Sequence, residues 1–241
     1  MDLAEDFVLD ESKGGRKGPV DTGGGRLGKI FDFILECDHE KDVFRQTYLT
    51  GREGRREDDA EHAWHMCLMA LVLSDYSNAP FDMLKVLSML VVHDLIEVYA
   101  GDTFCYDEKA VATQGKREDA AADRLYSILP QDLGSRLRAL WEEFERCETP
   151  EAKFAKCMDN VQPCMLNAAT GGRAWREHRV RLTQILRRNA RTAEGSRDLW
   201  EYMKQRFIIP NIKKGNIVDD TGGAFLKENG AAPAPSGDQG C

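Results

Sequence analysis

Residues 83–104, MLKVLSMLVVHDLIEVYAGDTF, place ionisable side chains inside an apolar helical pattern. Steps of three and four put one set of residues on a single helix face, with His93 beside it: Met83, Val86, Leu90, Asp94 and Glu97. Carboxylates and imidazoles are costly to bury unless a partner replaces their lost hydration. The pattern therefore predicts a buried helix that carries polar groups toward a partner, and a divalent metal ion is one candidate.

The rest of the chain also has helical periodicity, and we find no alternating strand pattern and no Asn-Gly hairpin. Asp58 or Asp59 is placed to cap a helix with Glu61 in its first turn. Thr149 precedes Pro150 at another predicted start, while Gly101 is a stop signal for the helix of residues 83–100. Further helices are expected over residues 176–191 and 196–207. The sequence thus predicts an all-α fold, a compact helical bundle.

Composition along the chain suggests three segments. Residues 1–28 are rich in glycine and charge, without sustained periodicity, and are expected to form a flexible leader. Residues 29–212 are long enough for one domain with its own core. Residues 213–241 end in GAAPAPSGDQGC, a linker-like composition, and are expected to form a flexible tail.

Charge and cysteine usage narrow the function classes. The net charge of −8 disfavours a nucleic-acid-binding face, which needs a basic excess to displace counterions from phosphates. The seven cysteines form no CxxC pair, and an odd number is typical of reduced thiols. No apolar run approaches the roughly 20 residues of a membrane span, and no signal region is recognisable. We therefore expect a cytoplasmic protein with neither a nucleic-acid nor a membrane partner.

Two other predicted core helices also direct an ionisable side chain inward. His62 shares a face with Met66, Met69 and Leu73, and Asp159 lies among Ala155, Met158, Gln162 and Leu166. Such groups could be satisfied within the core, or they could join His93 and Asp94 around a metal ion. Imidazole and carboxylate ligands suit Mn, Co, Fe, Ni, Mg or Zn, and the lack of thiolates disfavours a structural zinc site.

The motif order decides between these readings. EHAWH, then HDLIEVYAGD, then KCMDN resembles the H…HD…D pattern of the HD-domain superfamily of metal-dependent phosphohydrolases. Blocks between about residues 40 and 175 resemble the branch that contains the bacterial 5′-deoxynucleotidases and their eukaryotic HD-domain relatives. The resemblance implies an HD-domain bundle that removes the 5′-phosphate of (deoxy)nucleoside monophosphates with a divalent metal.

The resemblance also implies residue roles. The metal ligands would be His62, His93, Asp94 and Asp159. Glu97 would match the acid that positions or deprotonates the attacking water, and Asp102 the acid near the sugar hydroxyls. Arg45 would match the arginine that grips the 5′-phosphate. Gln46 departs from the family, whose characterised bacterial enzymes have an aromatic residue there, so sugar and base selectivity are left open.

Several further expectations accompany this interpretation. The family tends to dimerise, which implies a homodimer. The enzymatic alternatives are hydrolysis of another small phosphate ester or of a cyclic or pyrophosphate nucleotide. The non-enzymatic alternative is a regulatory module that binds metal and nucleotide without turnover. His65, one turn from His62, is expected to support or pack beside the site, and the basic residues 179–191 are expected to form a solvated helix face.

Overall fold

The computed structural model describes residues 20–51 and 54–230. The helices in chain order are α1 (Gly25–Cys37), α2 (Asp59–Val72), α3 (Met83–Val92), α4 (Glu97–Ala100), α5 (Glu108–Ser127), α6 (Gln131–Arg146), α7 (Pro150–Ala169), α8 (Arg173–Glu177), α9 (Leu182–Arg188), α10 (Thr192–Gly195), α11 (Arg197–Met203), α12 (Ile209–Lys213) and α13 (Ala224–Asn229). Two short strands, β1 (Phe44–Tyr48) and β2 (Arg56–Asp58), form an antiparallel pair. The predicted all-α class is confirmed.

Helix α7 is the centre of the bundle. It contacts α2, α3, α6, α10 and β1, and most of its side chains are buried. One core packs around α7 and includes side chains of α7 itself; its members include Met66, Met89, Phe154, Met158, Trp175 and Ile185. A second core, which involves α5 and α6, includes Ile96, Ala122, Leu125 and Trp141. Functional groups on α7 are therefore held by packing on several sides, which limits their freedom to reorient.

The predicted helix starts have the expected caps. The Asp58 carboxylate accepts a hydrogen bond from the Glu61 N–H, and the Glu61 carboxylate accepts one from the Asp58 N–H, which makes a reciprocal capping box. Thr149 accepts a hydrogen bond from the Ala152 N–H and Pro150 is the first residue of α7. Among the described residues, no helix has the length and apolar character needed to cross a membrane.

The helix predicted to run through His93 to Gly101 is interrupted, and that prediction was wrong in detail. Helix α3 ends at Val92, and α4 begins only at Glu97. In between, the Glu97 N–H bonds the Asp94 carbonyl, one residue closer than in an α-helix. The hydrophobic periodicity continues through the break, so the pattern gave no sign of it.

The structure also contains two short strands that the sequence pattern did not indicate. Phe44 pairs with Asp58 and Tyr48 with Arg56, with an irregular register between the two pairs. The folded region also extends past its predicted limits: α1 begins at Gly25, and α13 lies within the segment predicted to be a tail. The rest of the predicted leader and tail, residues 1–19 and 231–241, lies outside the described residues.

Candidate active site

Two buried histidines present the same ring nitrogen to the centre of the bundle. On His93, Nδ1 lies 2.9 Å from the Leu90 carbonyl oxygen, an acceptor, so Nδ1 carries the hydrogen. On His62, Nδ1 lies 2.9 Å from Oε1 of Gln162 and donates to it in the same way. The Nε2 atoms of both rings thereby point away from these acceptors, and the ring centroids are 5.6 Å apart. This tautomer is the one that metal-binding histidines use when Nε2 is the ligand.

Two aspartates complete the group. The Asp94 Oδ2 atom lies 2.8 Å from His93 Nε2, and the Asp159 Oδ1 atom lies 3.4 Å from His62 Nε2. Ligand atoms of His62, His93 and Asp94 lie within 4.8 Å of one another. The structure therefore brings together all four residues that the resemblance implies as metal ligands.

The residues present fit a divalent cation. The buried His93 Nε2 has no hydrogen-bond partner in acceptable geometry, despite its short distance to Asp94. A buried polar atom without such a partner is costly, and a cation at this position would satisfy it. Two imidazoles and two carboxylates form a donor set typical of Mn, Fe, Co, Ni or Zn sites.

Arg45 on β1 lies at the edge of this group. Its Nη1 atom donates to Asp94 Oδ2 at 2.7 Å and to Asp59 Oδ1 at 2.9 Å. Burial opposes its charge, but nearby Asp94 and Asp59 outweigh that effect and raise the pKa of Arg45 well above its usual value. A permanently charged guanidinium thus lies next to the candidate metal ligands.

A second group of acids adjoins the first. Carboxylate oxygens of Asp59, Glu97 and Asp102 lie within 4.8 Å of one another, a geometry that a second hard cation could use. Burial, together with the charge of Asp94, raises the pKa of Glu97 well above its usual value, and the same causes raise the pKa of Asp59 to about 6. Burial also raises the pKa of Asp102. Burial and the neighbouring acids thus favour the protonated form of Glu97.

The two aspartates of the first group behave differently. Burial raises the pKa of Asp159, but Arg188 and Lys156 lower it well below its usual value. Burial likewise opposes ionisation of Asp94, while His93 and Arg45 lower its pKa. Both carboxylates are accordingly charged at neutral pH, as metal ligation requires.

Sequence reasoning missed two cations at the site. Arg188 Nη2 lies 2.8 Å from Asp159 Oδ2, and Lys156 Nζ lies 3.2 Å from the same oxygen. The expectation that residues 179–191 form a solvated face is therefore wrong for Arg188. The sequence spacing could have indicated that Arg188 lies on the inner face, because it follows Leu182 and Ile185, both buried, at steps of three residues. The two cations leave Oδ1 of Asp159 directed toward His62.

Many of these groups line one cavity of about 560 Å³. Its walls include Arg45, Gln46, His93, Asp94, Glu97, Asp102, Lys156, Asp159 and Arg188, together with apolar groups such as Phe104, Trp141 and Phe144. Gln46 thus lies in the same cavity as Arg45. A pocket with ionised groups on one side and aromatic rings on another can hold a small molecule with a charged and an apolar part.

A family model described as HD domain matches residues 37–200. The chain belongs to the HD-domain family. Its sequence is 31% identical over 146 residues to 5′-deoxynucleotidase HDDC2 of Bos taurus, a match that covers 60% of this chain and 69% of that protein. It is 32% identical over 133 residues to 5′-deoxynucleotidase HDDC2 of Homo sapiens, covering 55% of this chain and 64% of the human protein. The matches thus span about two thirds of the length of these relatives.

A solved structure is also similar to this chain. The structure of a predicted metal-dependent phosphohydrolase from Magnetospirillum magnetotacticum MS-1 matches this chain with a TM-score of 0.75 and 37% sequence identity. The match covers 80% of this chain and 96% of the neighbour. All seven residues to which the resemblance gives a role fall within the HD-domain match, because they lie between residues 45 and 159.

Proposed function

We propose that this HD-domain protein is a phosphohydrolase that removes the 5′-phosphate of deoxynucleoside monophosphates with a divalent metal ion. The observation that carries the proposal is the convergence of two imidazole Nε2 atoms and two aspartates beside the buried guanidinium of Arg45. Relatives named 5′-deoxynucleotidase support the reaction class and the nucleotide substrate.

His62, His93, Asp94 and Asp159 would hold the cation, with Mn, Co, Fe, Ni, Mg and Zn as the candidates. When bound, a divalent cation lowers the pKa of water and polarises a phosphoryl oxygen. Arg188 and Lys156 hold Asp159 ionised and fix its Oδ2 atom, which keeps Oδ1 available on the cavity side.

Arg45 and Glu97 act on the substrate in this proposal. The guanidinium of Arg45 pairs with the 5′-phosphate oxygens, for which its planar fork of donors is well shaped. Burial and the neighbouring acids favour the protonated form of Glu97, so we assign to it the delivery of a proton to the 5′-oxygen as the nucleoside leaves. The raised pKa favours proton donation over the removal of a proton from water that the resemblance left as an alternative.

Asp102 and Gln46 are assigned to the nucleoside. Asp102 lies within the same acid group as Glu97 and would accept hydrogen bonds from sugar hydroxyls. Gln46 lines the cavity beside Arg45 with an amide in place of an aromatic ring. We expect the preference between deoxyribose and ribose to depend on these two side chains.

The homodimer is also a proposal, and an exposed apolar stripe supports it. Trp64, Leu68 and Leu71 follow helical spacing on α2 and are 68%, 43% and 53% exposed. On the neighbouring α3, Leu84 is 74% exposed. Large apolar side chains grouped on a surface mark interaction sites, and a second copy of the chain would cover this one.

Asp94→Asn tests the assignment of the metal ligands. The variant is expected to lose bound metal, measured by elemental analysis, and metal-dependent phosphate release. Asp132→Asn is the control, because Asp132 pairs with Arg26 on the surface and is away from the cavity. Full metal retention in Asp94→Asn would contradict the ligand assignment. Metal-loaded wild-type protein that releases no phosphate from any ester would contradict the phosphohydrolase proposal.

A further inference from the structure

A chain of buried polar side chains begins at the Nδ1 atom of His62, on the opposite side of the ring from Nε2. Oε1 of Gln162 accepts from Nδ1 of His62 at 2.9 Å. Nε2 of Gln162 donates to Oε1 of Glu57 at 2.5 Å and lies 3.2 Å from Nδ1 of His65. His62, Gln162 and Glu57 are all almost fully buried, at 0%, 0% and 1% exposure. The amide of Gln162 is therefore held at both ends.

The chemistry of these groups fixes the direction of the chain. The NH₂ group of Gln162 faces Glu57, whose Oε1 atom accepts its hydrogen bond. The carbonyl oxygen of that amide then faces His62. A ring nitrogen opposite a carbonyl oxygen has to carry a hydrogen, so Nδ1 of His62 is the N–H and Nε2 lies on the side of Asp159.

Folding alone does not account for a carboxylate at position 57. Oε2 of Glu57 has no hydrogen-bond partner among the described residues, and Nδ1 of His62 lies 3.6 Å from a carboxylate oxygen of Glu57. Burying an ionisable group with one unsatisfied oxygen costs free energy, whereas a glutamine of the same shape would avoid the charge. Besides its charge, the carboxylate differs from that glutamine because it permits only one orientation of the Gln162 amide.

We propose that Gln162, oriented by Glu57, is a positioning residue that holds the His62 ring with Nε2 toward the metal. The proposal rests on the metal centre of the proposed function. It assigns a role to two side chains that lie outside the ligand set and do not touch the substrate. Hydrogen-bond partners of ligating histidines typically change metal affinity by about 10–100-fold when they are removed.

The test is Mn²⁺ affinity, measured by competition with a chelator. Gln162→Met keeps the side-chain shape but removes the acceptor, and about 10–100-fold weaker Mn²⁺ binding is expected. Gln162→Glu is the rescue: in its protonated form it can donate to Glu57 and accept from His62, so affinity within about threefold of wild type is expected at pH 6. Asn211→Leu is the matched control, since Asn211 is a buried amide that bonds the Phe207 carbonyl, away from the site.

A second readout reports on the ring itself. In Zn²⁺-loaded protein, the Nδ1–H of His62 is expected to give a slowly exchanging, downfield proton resonance that is present in Gln162→Glu and absent in Gln162→Met. If Gln162→Met does not fold, Glu57→Gln gives the test instead, because it allows the Gln162 amide to turn over. Its affinity is expected to fall between those of wild type and Gln162→Met.

The outcomes separate the two proposals. Wild-type protein that binds no Mn²⁺ would contradict the metal centre on which this inference rests. Wild-type binding that is unchanged in folded Gln162→Met, or in Glu57→Gln where that variant serves as the test, would overturn the positioning role alone. Equal loss in Gln162→Met and Gln162→Glu would also overturn it, since only the first removes the acceptor.

Discussion

At the scale of single residues, the site combines buried acids with neighbouring basic side chains. Glu97 is 7% exposed, lies among other acids and has one oxygen without a hydrogen-bond partner. Its raised pKa follows from burial and from the charge of Asp94. Burial among acids thus favours the protonated form of Glu97, whereas nearby basic groups favour the ionised forms of Asp94 and Asp159.

Glu97→Gln should remove that proton while it keeps the size of the side chain. We expect kcat to fall by about 10²–10⁴-fold, with bound metal retained. Steady-state kinetics and elemental analysis on the same sample measure both quantities. Glu118→Gln is the control, because Glu118 lines the same cavity but bonds Gln114 on α5. An unchanged kcat in Glu97→Gln would show that Glu97 does not transfer a proton.

Glu40 gives a pH dependence of stability. Burial, together with Asp94 and Asp59, raises the pKa of Glu40 from 4.5 to about 8. Between these values the folded protein holds a proton that the unfolded chain has released, so the group's contribution to stability falls as pH rises. One proton changes the free energy of unfolding by at most about 1.4 kcal/mol per pH unit.

Urea unfolding of metal-free protein at pH 6 and pH 8 measures this effect. Wild type is expected to lose more stability between the two values than Glu40→Gln, which has no proton to release. The difference between the two proteins isolates Glu40 from the other titrating groups. Equal pH dependence in the two proteins would show that Glu40 ionises normally in the folded state.

At the scale of elements, a short hairpin supplies residues that the helices alone could not. β1 carries Arg45, while β2 carries Glu57 and the helix cap Asp58. The four ligand candidates could be predicted from the sequence because they lie on or beside apolar helical faces and because the motif order resembles the HD-domain pattern. The hairpin was missed because strands of five and three residues are too short to show alternation. The break after Val92 was missed because local hydrogen bonds, rather than hydrophobic pattern, end that helix.

The cap of α2 links the hairpin to the site. His62 lies in the first turn and a half of α2, directly after the capping box of Asp58 and Glu61. We expect Asp58→Ala to lower the free energy of unfolding by about 0.5–2 kcal/mol and to weaken Mn²⁺ binding, because fraying would release His62. Denaturant titration and chelator competition measure the two effects.

Asp82→Ala is the matched control for that prediction. Asp82 caps α3 by accepting from the Leu84 and Lys85 N–H groups, about three turns from His93. Asp82→Ala should lower the free energy of unfolding by a similar amount and leave Mn²⁺ affinity unchanged. If the two variants weaken Mn²⁺ binding equally, the effect of Asp58→Ala comes from general loss of stability rather than from His62.

At the scale of the whole molecule, the bundle has an exposed apolar stripe on α2 and encloses the candidate site residues. Leu71→Glu would put a charge in the α2 stripe, where Leu71 is 53% exposed. Sedimentation velocity is expected to show a dimer for wild type and a monomer for this variant. Val111→Glu is the control, because Val111 is exposed on α5 rather than in the α2 stripe, and this variant should leave the dimer intact. A monomeric wild type would contradict the proposed homodimer.

Phosphate release from a panel of esters tests whether the protein removes the 5′-phosphate of deoxynucleoside monophosphates. The panel contains dNMPs, NMPs, dNTPs, cyclic nucleotides and non-nucleotide phosphate esters, each with Mn²⁺, Co²⁺ or Mg²⁺ and with EDTA as the control. We predict metal-dependent release from dNMPs that exceeds release from every other class and stops with EDTA. No release from any dNMP by protein shown to contain metal would contradict the account, and it would favour a binding module or a substrate outside the nucleotides.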